Sequence, residues 1–313
     1  MKVLYDIKKS SEIKGALITI GIFDGVHKGH RALLRKLIKK ARAKRKKSVV
    51  ITFMPHPYKI LHPRKSPPML MSLDHRIKLL GEMGIGYIAV LNFNRVFSNL
   101  SAEDFISGIL VKKMKMSELF IGDNFKLGHK RVGSVGLLKK LALKYNFKLT
   151  VIKRRKINGE LASSTKIRKF VIRGKFEEAV SLLGRRVSVL GTVVSGDRLA
   201  RTLGFPTSNV DPHHEAIPPS GVYAVIVKYD GVNYKGVLNI GFRPTFKRKK
   251  RKETIEVHIL DFNKDIYGKD LEIFFIGRIR NEKRFRNKGH LKKQIREDIK
   301  QARFMLEYNN NPC

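Results

Sequence analysis

Cysteine is nearly absent: the one thiol among 313 residues is Cys313. A lone thiol cannot pair within its own chain, which excludes a disulfide scaffold and fits a reducing cytosol. Acidic side chains are scarce as well, 26 Asp plus Glu against 66 Lys plus Arg, so the formal net charge is +40. No stretch approaches the roughly 18 consecutive apolar residues of a membrane span, and MKVLYDIKKS carries charge where a secretory leader would need an apolar run. These absences lead us to expect a soluble, cytoplasmic protein with no membrane partner. Intrinsic disorder is excluded because 42% of the residues are hydrophobic and recur in ordered periods. The length suits about two domains, each able to bury its own core.

The positive charge is spread through both halves. Residues 1–184 hold 40 basic and 12 acidic side chains. Two dense runs, Lys44 to Lys47 and Lys247 to Lys252, could neutralise phosphates along a nucleic acid. Neither is interleaved with aromatic residues that would stack on bases, so compositional bias explains them better and no obligate nucleic-acid partner is expected. An anionic substrate would still be drawn toward such a surface.

The two halves follow different local grammars. Apolar, β-branched segments at Ala16–Phe23, Ser48–Phe53, Tyr87–Phe93, Glu118–Gly122 and Lys148–Ile152 alternate with helical periods that begin near His30, Ser72, Ser101 and Ser134. This order predicts an α/β parallel-sheet domain with a ligand crevice at the carboxyl ends of its strands. Residues 164–183 read as two short helices broken at Gly174. Beyond Gly184 come consecutive strands, Val187–Val194, Tyr223–Tyr229, Asn233–Ile240, Thr254–Leu260 and Leu271–Ile276, with Asp230-Gly231 as a hairpin signal. Helical period returns at His290–Leu306. The expectation is a small antiparallel β-barrel with a C-terminal helix, and a boundary that divides the chain into 1–184 and 185–313.

The densest chemical signal is Gly21 to His30, GIFDGVHKGH, at the turn from the first strand into the first helix. Gly21, Gly25 and Gly29 let the backbone turn sharply near a ligand, and His27 and His30 sit where free helix amides already attract anions. Two imidazoles there can donate to a nucleotide triphosphate and stabilise the charge that builds on departing pyrophosphate. The segment resembles the HxGH signature of the nucleotidylyltransferase superfamily, and GxFDGxHxGH is similar to its flavin-adenylylating branch. Thr52 to Pro57, Ile121 to Phe125 with Gly128, and Ser163 to Arg168 resemble that branch's later motifs. The resemblance implies ATP contacts from Phe23, Asp24, Ser164 and Thr165 besides the glycines and histidines, with Arg168 as a fixed cationic fork. It also implies flavin contacts from Phe53, Asn124 and Phe125. Lys126-Leu127 departs from the Arg and Phe more familiar there.

In the second half, Gly204-Phe205-Pro206-Thr207-Ser208-Asn209 offers a hydroxyl and an amide oxygen at alternate positions, suited to Mg²⁺ and phosphate. With Gly221-Val222-Tyr223-Ala224, Asn239 to Phe246 and Thr254 to Phe262 it resembles the riboflavin kinase family, with Ser208 where Ala is more usual. That likeness implies ATP contacts from Gly204, Pro206, Thr207 and Asn209, metal contacts from Thr207 and Asn209, and a flavin contact from Arg243. In the strand from Thr254, Glu256 and His258 share the face opposite Ile255, Val257 and Ile259, and a carboxylate facing a pocket there can take a hydroxyl proton. His258 reads as a solvated strand position.

Together the two likenesses cover nearly the whole chain in the order of the bacterial bifunctional riboflavin kinase/FAD synthetase family. They imply that riboflavin plus ATP gives FMN in the second domain, that FMN plus ATP gives FAD and pyrophosphate in the first, and that both steps use Mg²⁺. Two other readings compete: a basic nucleic-acid-binding protein on an enzyme fold, and an adenylyltransferase for another phosphorylated substrate. The kinase-like second half argues against the last. Oligomeric state is not written in these motifs.

Overall fold

The computed structural model describes residues 1–5, 11–154, 156–157, 159–195, 204–214, 216–243 and 252–308. The chain divides into two compact units, residues 1–67 with 73–163, and residues 68–72 with 164–313. In the first, a six-stranded sheet runs in the order β1-β4-β3-β2-β5-β6, every neighbouring pair parallel. Its strands are β1 (Lys2–Leu4), β2 (Leu17–Ile20), β3 (Ser48–Met54), β4 (Tyr87–Asn92), β5 (Glu118–Gly122) and β6 (Lys148–Ile152). Four strands fall within a residue or so of expectation. The first, predicted over Ala16–Phe23, stops at Ile20, because the backbone leaves the ladder at Gly21. Three-residue β1 is too short to show a period.

The intervening helices are α1 (Lys28–Ala43), α2 (Pro57–Leu61), α3 (Leu73–Glu82), α4 (Arg95–Ser98), α5 (Ala102–Asp104), which continues as a π-helix over Phe105–Lys113, and α6 (Val135–Lys144). Ser101 caps α5: its hydroxyl accepts from Asp104 N–H at 3.0 Å and donates to the Asp104 carboxylate at 2.7 Å. Side chains of both parities are buried along β2 and β3, so both sheet faces are covered, as parallel sheets require. On one face Ile18, Val49, Ile51 and Leu119 pack with Phe105, Ile106 and Leu138. Buried Glu118 on β5 is held by Lys40 of α1, by Lys44 just past its end and by Thr150 Oγ1, which donates at 2.6 Å. Burial alone would lift this carboxyl, but the hydrogen bonds and both ammonium charges outweigh it and hold it below its usual range. β2 is the switch point: the chain leaves it for β3 on one side and later adds β5 on the other, which opens a crevice at its carboxyl end.

After a short hairpin, β7 (Lys156–Ile157) with β8 (Glu160–Leu161), the second unit begins with α7 (Ser164–Ile172) and α8 (Phe176–Leu183). Six antiparallel strands then close a barrel in the order β10-β13-β12-β11-β14-β9. They are β9 (Ser188–Val194), β10 (Ser208–Pro212), β11 (Gly221–Tyr229), β12 (Val232–Arg243), β13 (Lys252–Ile259) and β14 (Asp270–Arg280). Asp230 and Gly231 turn the β11–β12 hairpin with φ of +47° and +79°, the left-handed pair this two-residue loop needs. Alternating Tyr223, Val225, Val227, Leu238, Ile240, Ile255 and Val257 are buried. α9 (Lys288–Tyr308) covers Ala224 with Ala302 and Leu306, fastened by the Arg280–Asp298 ion pair. Phe176 of α8 stacks on Phe275 at 5.4 Å and meets Tyr223 edge-on at 5.8 Å, so α8 packs against the barrel. β10 is absent from the expected strands: Val210 is its one buried residue and its partners β9 and β13 lie far apart in sequence, so no local alternation announces it.

Candidate active sites

Gly21 to His30 occupies the switch-point crevice. The turn is strained, with Phe23 at φ +53° and Val26 at φ +38°, conformations that side-chain-bearing residues adopt only when their surroundings impose them. His27 is the N-cap of α1: its Nδ1 accepts from His30 N–H at 3.3 Å, which leaves the ring proton on Nε2. His27 therefore caps α1. The rings of His27 and His30 stack at 3.6 Å, and Phe23 closes edge-on over His30 at 5.1 Å. A Cβ on Gly29 would lie 3.1 Å from the His27 ring, so glycine is what lets that ring sit back over the helix start. Burial, aided by His27 and the positive charge of Arg76, holds His30 well below the ordinary imidazole value of 6.5, so it is neutral at pH 7. Asp24 is buried beside them.

A cavity of about 730 Å³ opens from this turn. Gly21, His30, Phe53, Asn124 and Phe125 all line it, so the structure brings together the first, second and third motifs of the α/β half. Its apolar wall is an aromatic group, Phe53, Phe93, Phe97 and Phe105, with neighbouring rings 5.6–5.8 Å apart. Its rim carries cations from Lys126, Lys130 and Arg131. The sequence did not single out Phe93, Phe97 or Phe105, which look like ordinary core residues until their rings are seen at a cavity wall. Ser164, Thr165 and Arg168 stand on the first turns of α7 in the second unit, where Arg168 is buried and donates from Nε to Pro68 O.

On the barrel, Glu256 lies outward from the core in a row across three strands, directly opposite Asn209 of β10 on one side and Asn239 of β12 on the other. Thr207 immediately precedes β10, and Gly204, with φ +88°, starts the turn into it. His258 is not merely solvated: its Nδ1 donates to Pro206 O at 2.7 Å and its ring edge meets Phe205, so it braces the Gly204–Asn209 segment. A further carboxylate was missed by sequence reading. Glu282 Oε1 lies 2.6 Å from where a Gly241 Cβ would sit, a close approach that only glycine leaves room for, and Asn239 Nδ2 is 3.3 Å from the same point. Arg243 ends β12 opposite Lys252, but its side chain, like residues 196–203 and 244–251, lies outside the described residues. Among the described residues no cluster of three or more His, Cys, Asp or Glu could hold a metal, and no helix is long and apolar enough to cross a membrane. Oxygen from the Thr207 hydroxyl and the Asn209 amide is a sparse, hard donor set, which fits a cation that keeps most of its ligands as water and phosphate.

Residues 9–166 match the sequence profile of FAD synthetase and residues 183–306 that of riboflavin kinase. The chain is 37% identical to a protein of Buchnera aphidicola subsp. Schizaphis graminum and 39% identical to one of Escherichia coli (strain K12), each called a bifunctional riboflavin kinase/FMN adenylyltransferase. The first alignment covers 96% of this chain and 97% of that protein, the second 97% of both. A crystal structure described as a macrolide-efflux protein from Streptococcus pneumoniae superposes with a TM-score of 0.81 at 27% identity, over 96% of this chain and 98% of that one.

Proposed function

The chain belongs to the bifunctional riboflavin kinase/FMN adenylyltransferase family, and from that premise we propose how its residues divide the two reactions. It phosphorylates riboflavin with ATP to give FMN, and adenylylates FMN with a second ATP to give FAD and pyrophosphate. In our reading residues 1–184 carry the adenylylation and residues 185–313 the phosphorylation, in the cytoplasm.

The observation that carries the adenylylation reading is the stacked histidine pair at the head of α1, opening on the aromatic cavity. His27 Nε2–H, His30 and the α1 amides bind triphosphate oxygens, while Gly21, Phe23, Asp24, Gly25 and Gly29 shape the turn that contacts ATP. As FMN phosphate attacks the α-phosphorus, they stabilise the charge that gathers on the leaving pyrophosphate. A neutral His30 ring suits this task, because it donates without holding the product as a full ion pair would. Phe53, Asn124 and Phe125 hold the flavin, and Ser164, Thr165 and Arg168 serve phosphate oxygens. In the barrel Glu256 takes the proton of the attacking ribityl hydroxyl, Gly204 and Pro206 shape the ATP loop, and Arg243 contacts flavin. Thr207 and Asn209 would hold Mg²⁺, which when bound neutralises phosphate charge.

The test is to supply riboflavin, ATP and Mg²⁺ and to follow riboflavin, FMN and FAD by chromatography. His27→Ala and His30→Ala should each lower FAD formation by about 10²- to 10³-fold while FMN still accumulates. Undiminished FAD synthesis in either variant refutes the role given to that imidazole.

A further inference from the structure

The buried cation of α3 belongs to neither motif set. Arg76 is only 3% exposed, yet its Nη1 donates to Ile22 O at 2.7 Å and to Thr52 Oγ1 at 3.0 Å. Ile22 lies inside the histidine-bearing turn and Thr52 on β3, one residue before Phe53 of the cavity wall. One guanidinium group thus ties together two motifs 30 residues apart in sequence, from a third element. We propose that Arg76 is a positioning residue for adenylylation, a buried clamp that fixes the Ile22 carbonyl and thereby the strained turn presenting His27 and His30. The proposal rests on the reading of those histidines given above.

Three observations converge on it. Taking a guanidinium group out of water is costly, and an apolar side chain would pack the same space without that cost, so fold stability alone does not account for an arginine here. The turn it grips contains two side-chain-bearing residues at positive φ, Phe23 and Val26, and strain of this kind persists only where neighbours over-determine the backbone. The charge is also placed to matter. Among the described residues the titratable or charged groups acting on His30 are His27 from its own turn and Arg76 from α3, while Asp24 in turn acts on Arg76. Arg76 therefore does two things no apolar residue could: it donates to a carbonyl that has left the β2 ladder, and it opposes protonation of His30. Because it is buried, it acts through the turn and touches no substrate.

The experiment uses the full chain with Arg76→Met and Arg76→Lys. Adenylylation of supplied FMN is measured from pH 5 to 9 as kcat and KM, with riboflavin phosphorylation as the internal control. Arg76→Met should lower adenylylation kcat by about 10- to 100-fold, since a displaced turn misplaces the donors, with KM for FMN changed far less. Its acid limb should move toward neutral pH, because His30 then protonates more readily. Arg76→Lys keeps the charge but ends one bond short of Nη1 and cannot meet both acceptors from the same position, so the acid limb should stay in place while kcat remains reduced. Phosphorylation should be unchanged in both. A wild-type kcat and acid limb in Arg76→Met overturn the inference, as does a loss confined to KM. If Arg76→Met does not fold, Arg76→Lys decides: reduced kcat with an unmoved acid limb supports the clamp, and wild-type kcat overturns it. His30→Ala separates the two levels of the argument: an active His30→Ala removes the histidine reading itself, whereas an inactive one beside a wild-type-like Arg76→Met removes only the clamp.

Discussion

Replacing Asp298 by Ala should loosen the C-terminal helix from the barrel by a predictable amount. The Asp298 carboxylate is 4% exposed and accepts three hydrogen bonds, from Arg280 Nε at 2.8 Å, Arg280 Nη2 at 2.7 Å and Gln294 Nε2 at 3.0 Å. Removing one partner of a buried ion pair typically costs about 3–5 kcal/mol, because the remaining charge stays desolvated. Arg280 keeps Asn281 O at 3.0 Å and some solvent access, which favours the lower end, about 3 kcal/mol. For a unit of this size ~1 kcal/mol shifts Tm by roughly 2–4 °C, so the barrel transition should fall by roughly 6–12 °C. Two units need not melt together, so the assay is calorimetry of the full chain, with residual phosphorylation and adenylylation measured after graded heating. Phosphorylation should fail at the lower temperature. The double variant Arg280→Met with Asp298→Leu should regain most of the loss, since an apolar pair leaves no stranded charge. The reasoning is refuted by a Tm drop under about 2 °C in Asp298→Ala, or by a double variant as unstable as the single.

Two other outcomes test the chemistry and the charge network. Glu256→Gln keeps the polar row with Asn209 and Asn239 but removes the proton acceptor, so phosphorylation should fall by about 10²- to 10⁴-fold while supplied FMN is adenylylated normally; wild-type phosphorylation by the folded variant assigns the proton to another group. Because the Glu118 carboxyl is depressed on folding, its stabilisation is complete above the unfolded value near 4.5 and is lost as pH falls through the lower folded value. Thermal melts of Glu118→Gln should therefore lie below wild type at pH 7 and approach it as pH falls below 4.5, and a gap that does not narrow on acidification would show that packing, not charge, is responsible.

What could be read from the residues alone was whatever is local. The histidine pair and its glycines occupy ten consecutive positions, and the structure keeps them in one turn from which Gly21 and His30 line the cavity. Glu256 was legible because Ile255, Val257 and Ile259 alternate with it. The remainder depends on pairings between distant segments. β10 shows one buried residue and gains its identity from β9 and β13. Arg76 sits in a helix whose period looks ordinary, and its meaning comes from a carbonyl 54 residues earlier. Glu282 becomes visible only through the empty Cβ position of Gly241. Expected helices 164–183 did form, but the packing of α8 against Tyr223 and Phe275 could not be seen in a pattern that ends at Gly184.

Barrel closure also sets a clock. β9 is hydrogen-bonded to β14, whose first residue, Asp270, is made some 80 positions after Ser188. At roughly 5–20 residues per second on a ribosome, β9 waits about 4–16 s for that neighbour, with one row of backbone donors and acceptors unpaired. The parallel sheet has waits of the same order, since Lys2 of β1 pairs with Tyr87 of β4, but all six of its strands have been synthesised by Ile152, before the barrel begins. During those seconds the newborn chain is a finished sheet unit trailing an open-edged ribbon. A chain interrupted between Val194 and Asp270 would therefore hold a barrel that cannot close, with the β14 side of β9 exposed for edge-to-edge pairing.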